Sequence, residues 1–213
     1  MQANRSTNGA MSTLVMFSGG VDSTAMLVKL LAESSDELRV HHIRMENREM
    51  RARAEQRAVE AIVAYCRAHY RAFRYSESAL DFSTLEAIPI DYLSIAFVAC
   101  QVAIDTPGCN RIAVGALAAD TDIANRSARQ QRVFQEMYAC YRARKLGEPA
   151  VEWIFPVYDL PKDELAAALP HELLELTWSC RRPLDGLRPC GACKACRVRR
   201  DLRIPAVTAE NRA

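Results

Sequence analysis

Short apolar runs alternate with segments of helical periodicity along most of this chain, and that alternation limits its fold more than any other feature. TLVMF (13–17), LRVHHI (38–43), YRAFRY (70–75), RIAVGA (111–116) and VEWIFPV (151–157) read as strands. Between them, 21–33, 47–69, 92–104 and 126–145 repeat apolar residues at helical spacing, and PKDELAAAL opens a further helix on a proline. Residues 77–91, with Pro89, read as irregular. YLSIAFVACQVAI (92–104) is so apolar that it predicts a central helix. Strands and helices in this order predict βαβ units, right-handed crossovers and a parallel sheet flanked by helices. Half of the 213 residues are apolar, enough for a sizeable core.

In a parallel sheet, ligands gather beyond the C-terminal ends of the strands. Ser18–Ser23, His41–Glu46, Gly115–Asp122 and Phe155–Lys162 all follow predicted strands and are expected on one rim. The first of them belongs to FSGGVDST (17–24), where strand one turns into helix one. Glycines there permit a tight turn and bring backbone N–H groups close to an anion. The helix N-terminus adds unpaired N–H groups and a favourable dipole. Ser18, Ser23 and Thr24 add hydroxyls, and Asp22 suits a magnesium ion held between phosphates. The pattern is a phosphate cradle, but neither the Walker loop nor G-x-G-x-x-G. His41 and His42 are candidate general bases at the rim, with a structural role the commoner one; His69 and His171 read as helix-surface residues.

TWSCRRPLDGLRPCGACKACRVRR brings Cys180, Cys190, Cys193 and Cys196 together. Two C-x-x-C steps share Cys193, a spacing that presents thiolates to a tetrahedral ion. Four sulfurs would leave no open position for water, so a zinc ion here is structural; an iron–sulfur cluster or redox cysteines are the other readings. Arg181, Arg182, Lys194 and Arg197 would offset the thiolate charge. Of the remaining cysteines, Cys66 and Cys100 lie in apolar helical patterns and read as core.

Net charge is +2, too small for a general nucleic-acid signature, although 44–57 and 197–203 are locally rich in arginine. No run approaches the ~20 apolar residues of a membrane helix. The start of the chain has no apolar segment of the signal-peptide kind, so a soluble, cytoplasmic protein without a membrane partner is expected.

The S-G-G-x-D-S loop after an apolar strand resembles that of the N-type ATP pyrophosphatases. Together with the TWSC…CGACKACRVR ending, the chain resembles the 7-cyano-7-deazaguanine synthases within that group, over about residues 13–200. The resemblance implies a Rossmann-like fold of the adenine nucleotide alpha hydrolase type with a small C-terminal zinc knuckle. It divides the chain into a flexible lead-in (1–11), an ATP pyrophosphatase domain (12–170), a zinc-binding segment (171–200) and a tail (201–213). It implies an ATP-dependent ligase that adenylates 7-carboxy-7-deazaguanine and converts it with ammonia to the amide and then the nitrile, usually as a homodimer. Phe17, Ser18, Gly19, Gly20, Val21, Asp22, Ser23 and Thr24 then bind ATP with its magnesium. Ser18, Asp22, Ser23 and Lys162 are the catalytic set, Asp120 and Asp122 contact the substrate, and the four cysteines hold zinc.

Three segments depart from the family pattern. RMENRE stands where the family has an aromatic, Gly-Gln and a basic residue, PIDYLS where it has a PGRN-like turn, and NRSARQQR where it has Asp-Cys-Arg. Phosphate and metal elements are kept while substrate-facing ones differ. Other outcomes of the same chemistry therefore stand beside the nitrile: stopping at the amide, or passing the acyl group to another amine. A tRNA-directed ATP pyrophosphatase and a non-catalytic nucleotide-binding module are the readings from other classes; RNA would then be the partner, which the weak net charge disfavours.

Overall fold

The computed structural model describes residues 11–106, 108–119, 123–142 and 151–204. Five strands form one parallel sheet: β1 (Ser12–Phe17), β2 (Glu37–Glu46), β3 (Arg74–Asp81), β4 (Cys109–Val114) and β5 (Glu152–Ile154), in the order β3-β2-β1-β4-β5. β1 lies at the centre and is buried throughout, as a strand covered on both faces must be. Its alternate residues feed two cores. Val15 and Phe17 pack with helices α1 (Val21–Glu33) and α2 (Ala52–His69), whereas Leu14 and Met16 pack with α3 (Asp91–Ile104) and α4 (Ile123–Arg142). Three short helices follow β5: α5 (Lys162–Ala168), α6 (His171–Leu176) and α7 (Lys194–Asp201), and all three contribute to the first core.

The chain runs from β1 through α1 to β2 and through α2 to β3, then crosses back by α3 to β4 on the other side of β1. The strand order reverses at β1, which opens a crevice at its C-terminal end. FSGGVDST occupies that point.

Local chemistry moves three boundaries from their expected places. The second helix does not begin at 47. The Asn47 side chain accepts a bond from the Glu49 backbone N–H at 2.9 Å, Met50 takes a φ of 51°, and the chain turns before entering α2 at Ala52. The third strand is not YRAFRY but Arg74–Asp81, so residues 77–81, expected to be irregular, belong to the sheet. β3 is an edge strand with one face half in water, and small polar residues such as Ser76 and Ser78 suit it better than their propensities suggest. Proline opens the helix of PKDELAAAL as expected, but Pro161 is its N-cap and Lys162 its first residue. α3 is not wholly central: Ala96, Val98, Ala99, Cys100 and Ala103 are buried, but Phe97 turns outward and is 48% exposed. No helix among the described residues is long and apolar enough to cross a membrane.

Candidate active site

The loop between β1 and α1 is shaped by two close approaches. Gly19 has a φ of 73°, and a Cβ there would come within 2.9 Å of the Val59 side chain and 3.3 Å of its backbone N. Gly115, just after β4, passes so close to helix α1 that a Cβ would lie 2.9 Å from the Ser23 Cα, against backbone that cannot give way. The sheet thus presses β4 and α1 together and exposes the first turn of α1 to the crevice.

A cleft of about 360 Å³ opens there, lined on this side by Phe17, Ser18, Gly20, Val21, Asp22 and Ser23. The Ser18 and Ser23 hydroxyls lie 3.0 Å apart, and Ser23 donates to the Gly20 carbonyl at 3.2 Å. Thr24 is fully buried and its hydroxyl donates to the same carbonyl at 2.8 Å, so it braces the turn instead of facing the cleft. Lys162, the first residue of α5, reaches across and places Nζ 3.0 Å from Asp22 Oδ2. Two residues far apart in the chain are thereby joined at one point, with a cation beside a helix N-terminus. Asp120 and Asp122 lie outside the described residues.

His41 and His42 line the cleft, as expected of rim residues, and both are held by hydrogen bonds within the sheet. His41 is buried between two serine hydroxyls of β3, with Nδ1 2.8 Å from Ser76 Oγ and Nε2 3.0 Å from Ser78 Oγ. Burial, helped by nearby Arg39 and His42, lowers its pKa to about 4. His42 is buried too, and Nδ1 donates to the Phe17 carbonyl at 2.9 Å, which ties β2 to the start of the loop. Burial lowers its pKa too, against the pull of the Phe17 carbonyl and Glu77. Both are pieces of the scaffold. His69 and His171 sit on helix surfaces, as read from the sequence.

The far wall is a charge network that the sequence did not announce. Arg51, 10% exposed in its side chain, pairs with Glu49 at 2.6 Å, with Asp91 at 2.8 Å and with Glu55. Arg181 joins Glu49 at 3.2 Å and Asp91 at 3.0 Å. Burial works against the charge of Arg51, but Glu55, Asp91 and Glu49 together hold its pKa above the ordinary value. Burial also leaves the Glu55 carboxyl above its usual range, against the pull of Arg51. We take Arg51 as charged, because three carboxylates surround it. Glu49 comes from RMENRE and Asp91 from PIDYLS, so two of the segments that depart from the family pattern meet here. The only sequence signal was an arginine flanked by Glu49 and Glu55 at positions that fold onto it; in a run of arginines it passed for a solvated face.

Cys180, Cys190, Cys193 and Cys196 converge, with their Sγ atoms all within 4.8 Å of one another. Ligands of one tetrahedral zinc at ~2.3 Å stand ~3.8 Å apart, so modest closure puts all four on a single ion. Backbone N–H groups already serve these sulfurs: Cys190 N donates to Cys180 Sγ and Cys193 N to Cys190 Sγ, each at 3.3 Å. Those of Ala192 and Cys193 lower the Cys190 thiol to about 6. The segment also forms part of the cleft, through Trp178, Ser179, Arg181 and Ala195.

No family model matches the chain. The 7-cyano-7-deazaguanine synthase of Erythrobacter litoralis (strain HTCC2594) is 45% identical over 47 residues. The chain resembles that synthase. The matched stretch is 21% of this chain and 20% of the relative, so the likeness is strong but local. Among solved structures, the U34-tRNA thiolase NcsA from Methanococcus maripaludis, with its 4Fe–4S cluster, aligns at a TM-score of 0.50 and 19% identity, over 79% of this chain and 57% of that chain. Identity that low shows the shared fold: a Rossmann-like parallel sheet flanked by helices. The chain spans little more than half of that neighbour's length.

Proposed function

We propose that this chain is an ATP-dependent carbon–nitrogen ligase that activates the carboxylate of 7-carboxy-7-deazaguanine and joins it to ammonia. The observation that carries the reading is the Asp22–Lys162 pair, 3.0 Å apart at the N-terminus of α1, within a glycine turn at the point where the strand order reverses. The local likeness to a 7-cyano-7-deazaguanine synthase supports the substrate.

A carboxylate is a poor acceptor because it is anionic and lacks a leaving group. Its oxygen attacks the ATP α-phosphorus, the bond to the bridging oxygen breaks, and pyrophosphate leaves into the glycine cradle. Ammonia then adds to the acyl carbon, AMP departs, and a proton is lost to give the amide. A second ATP activates the amide oxygen in the same way, and loss of AMP and the two N–H protons gives the nitrile. No covalent enzyme intermediate is needed, so positioning and charge do the work. Asp22 would hold the magnesium that accompanies ATP, an ion that would offset phosphate charge, and Lys162, 3.0 Å from Asp22, would offer its ammonium to the phosphoryl oxygens. Phe17 to Ser23 cradle the phosphates, with Ser18 and Ser23 as hydroxyl donors, and Thr24 braces them from behind.

The four cysteines hold structural zinc in this reading. Sulfurs this close surround one ion, whereas a four-iron cube needs its cysteines spread around its corners. The site supplies rigidity and no step of the reaction. The network of Arg51, Glu49, Glu55, Asp91 and Arg181 faces the acyl end of the cleft, where an altered wall sets the amine and the end point. We also infer a homodimer.

Zinc-loaded protein incubated with magnesium ATP, ammonium and 7-carboxy-7-deazaguanine tests the reading by mass spectrometry. Nitrile, AMP and pyrophosphate are expected. Amide alone would mean that the reaction ends one step earlier. Substrate adenylated without amide would direct attention to another amine. Absence of AMP would overturn the assignment, and salt-sensitive tRNA binding would then favour an RNA-directed enzyme of the same fold.

A further inference from the structure

The cysteine cluster and the glycine loop are joined by one short segment, Thr177–Cys180. Trp178 donates its backbone N–H to the Gly19 carbonyl at 2.9 Å. Its indole Nε1–H donates to the Cys180 carbonyl at 2.9 Å, so one residue bonds the loop with its backbone and the first cysteine with its side chain. It is 2% exposed, and its carbonyl oxygen lies 3.4 Å from where a Cβ on Gly20 would stand, so the segment lies directly against the glycines. A second tie runs from α7, the helix that carries Cys196. Buried Arg199 donates from Nη1 to Thr177 Oγ1 at 2.7 Å, and that hydroxyl donates to the Leu174 carbonyl at 2.7 Å. Thr177 is thus gripped from the far side of the cluster, and Trp178 follows it in the chain.

Gly19 is the residue whose backbone must stay in the left-handed region for the turn to exist, and its carbonyl has an outside partner in Trp178. Thiolates brought together on a metal ion fix Cys180 and α7 at once, and therefore both ends of this segment.

We propose that Thr177–Cys180 is a strap through which the metal-closed cysteine cluster holds the nucleotide loop in its binding shape, with Trp178 as the positioning residue. This rests on the reading that the loop binds ATP. The strap makes zinc tighten nucleotide binding, although no cysteine lines the cleft.

The test uses the full chain, zinc-loaded or stripped by chelator, with amide hydrogen exchange followed at residues 18–24 and Trp178, and at β1 and β4 as internal controls. Exchange is measured first without nucleotide. Affinity for magnesium α,β-methylene-ATP is then measured by calorimetry. Zinc is expected to slow exchange about tenfold at Trp178, whose N–H donates to the Gly19 carbonyl, and at Ser18 and Thr24, whose N–H groups are bonded within the loop, leave β1 and β4 unchanged, and tighten the analogue about tenfold. Trp178→Phe keeps the backbone bond and the burial but deletes the indole donor. It should still bind one zinc per chain while its loop exchanges faster and its analogue affinity drops several-fold. Thr177→Val, which removes the acceptor for Arg199, should act in the same direction. Loop exchange that is indifferent to zinc, or both variants matching wild type when loaded, overturns the strap. Loop exchange that responds to zinc and to Trp178→Phe, with no analogue binding in any form, sustains the strap and sinks the nucleotide reading instead.

Discussion

Lys162 is the first residue of α5 and lies on the wall of the cleft. Its position after the last strand marked it, but only folding places its ammonium 3.0 Å from Asp22. In the unliganded protein the pair is partly shielded, with Lys162 34% and Asp22 22% exposed. In the proposed reaction this lysine would act on the phosphoryl oxygens in the transition state. Lys162→Met should therefore lower the rate of AMP formation by ~10²–10³ while changing thermal stability little, since the ion pair it loses is near the surface. Steady-state kinetics beside a melting curve check this. An undiminished rate would remove Lys162 from the catalytic set. Trp178 and Arg51 were not legible in the same way. A tryptophan before a cysteine looks like core, and an arginine among arginines looks solvated. Their roles depend on partners from distant segments: Gly19 for the first, Asp91 for the second.

The elements followed their sequence patterns wherever apolar periodicity set them. β1, α1 and the βαβ alternation could be read directly, because a strand buried on both faces and a helix buried on one leave unmistakable spacing. β3 could not, since an edge strand answers to its neighbour's ladder more than to its own residues. Its pairing with β2 also decides what His41 does. The ring is closed between Ser76 and Ser78 of that strand, and burial, then Arg39 and His42, lowers its pKa from 6.5 to about 4. In the unfolded chain it takes a proton near pH 6.5. Between those values the unfolded state binds a proton that the folded state refuses, so stability present above pH 6.5 is lost as pH falls toward 4. His42, buried and lowered in the same direction, adds to the loss. Chemical denaturation at pH 7 and pH 5 should show His41 costing about 1–2 kcal/mol over that interval, with His42 adding in the same direction. His41→Asn, which keeps a polar partner for Ser76, should flatten the dependence. An equally steep profile in that variant would place the acid sensitivity elsewhere.

At the scale of the whole molecule, the described surface is uneven. Leu85, Ile88, Ile90 and Phe97 are 48%, 51%, 54% and 48% exposed, and all lie at or just before the first turns of α3. Exposed large apolar side chains on one stretch of chain, the loop before α3 and Phe97 within that helix, mark a surface that water does not normally keep. α3 was expected to be central because its sequence is apolar nearly all round. The structure buries one side of it against α4 and the sheet and turns Phe97 outward. The homodimer proposed above would use this surface, and Asp91, at the start of the same helix, also lines the cleft. Sedimentation velocity at about 50 µM should give twice the chain mass for the wild type. Phe97→Glu, which adds a charge where the side chain is already half in water, should give the monomer without unfolding it. Leu184→Glu, equally exposed but in the cysteine segment, should leave the dimer whole. A wild type that sediments as a monomer, or a Phe97→Glu variant that keeps double mass, would send the apolar face of α3 in search of a different partner.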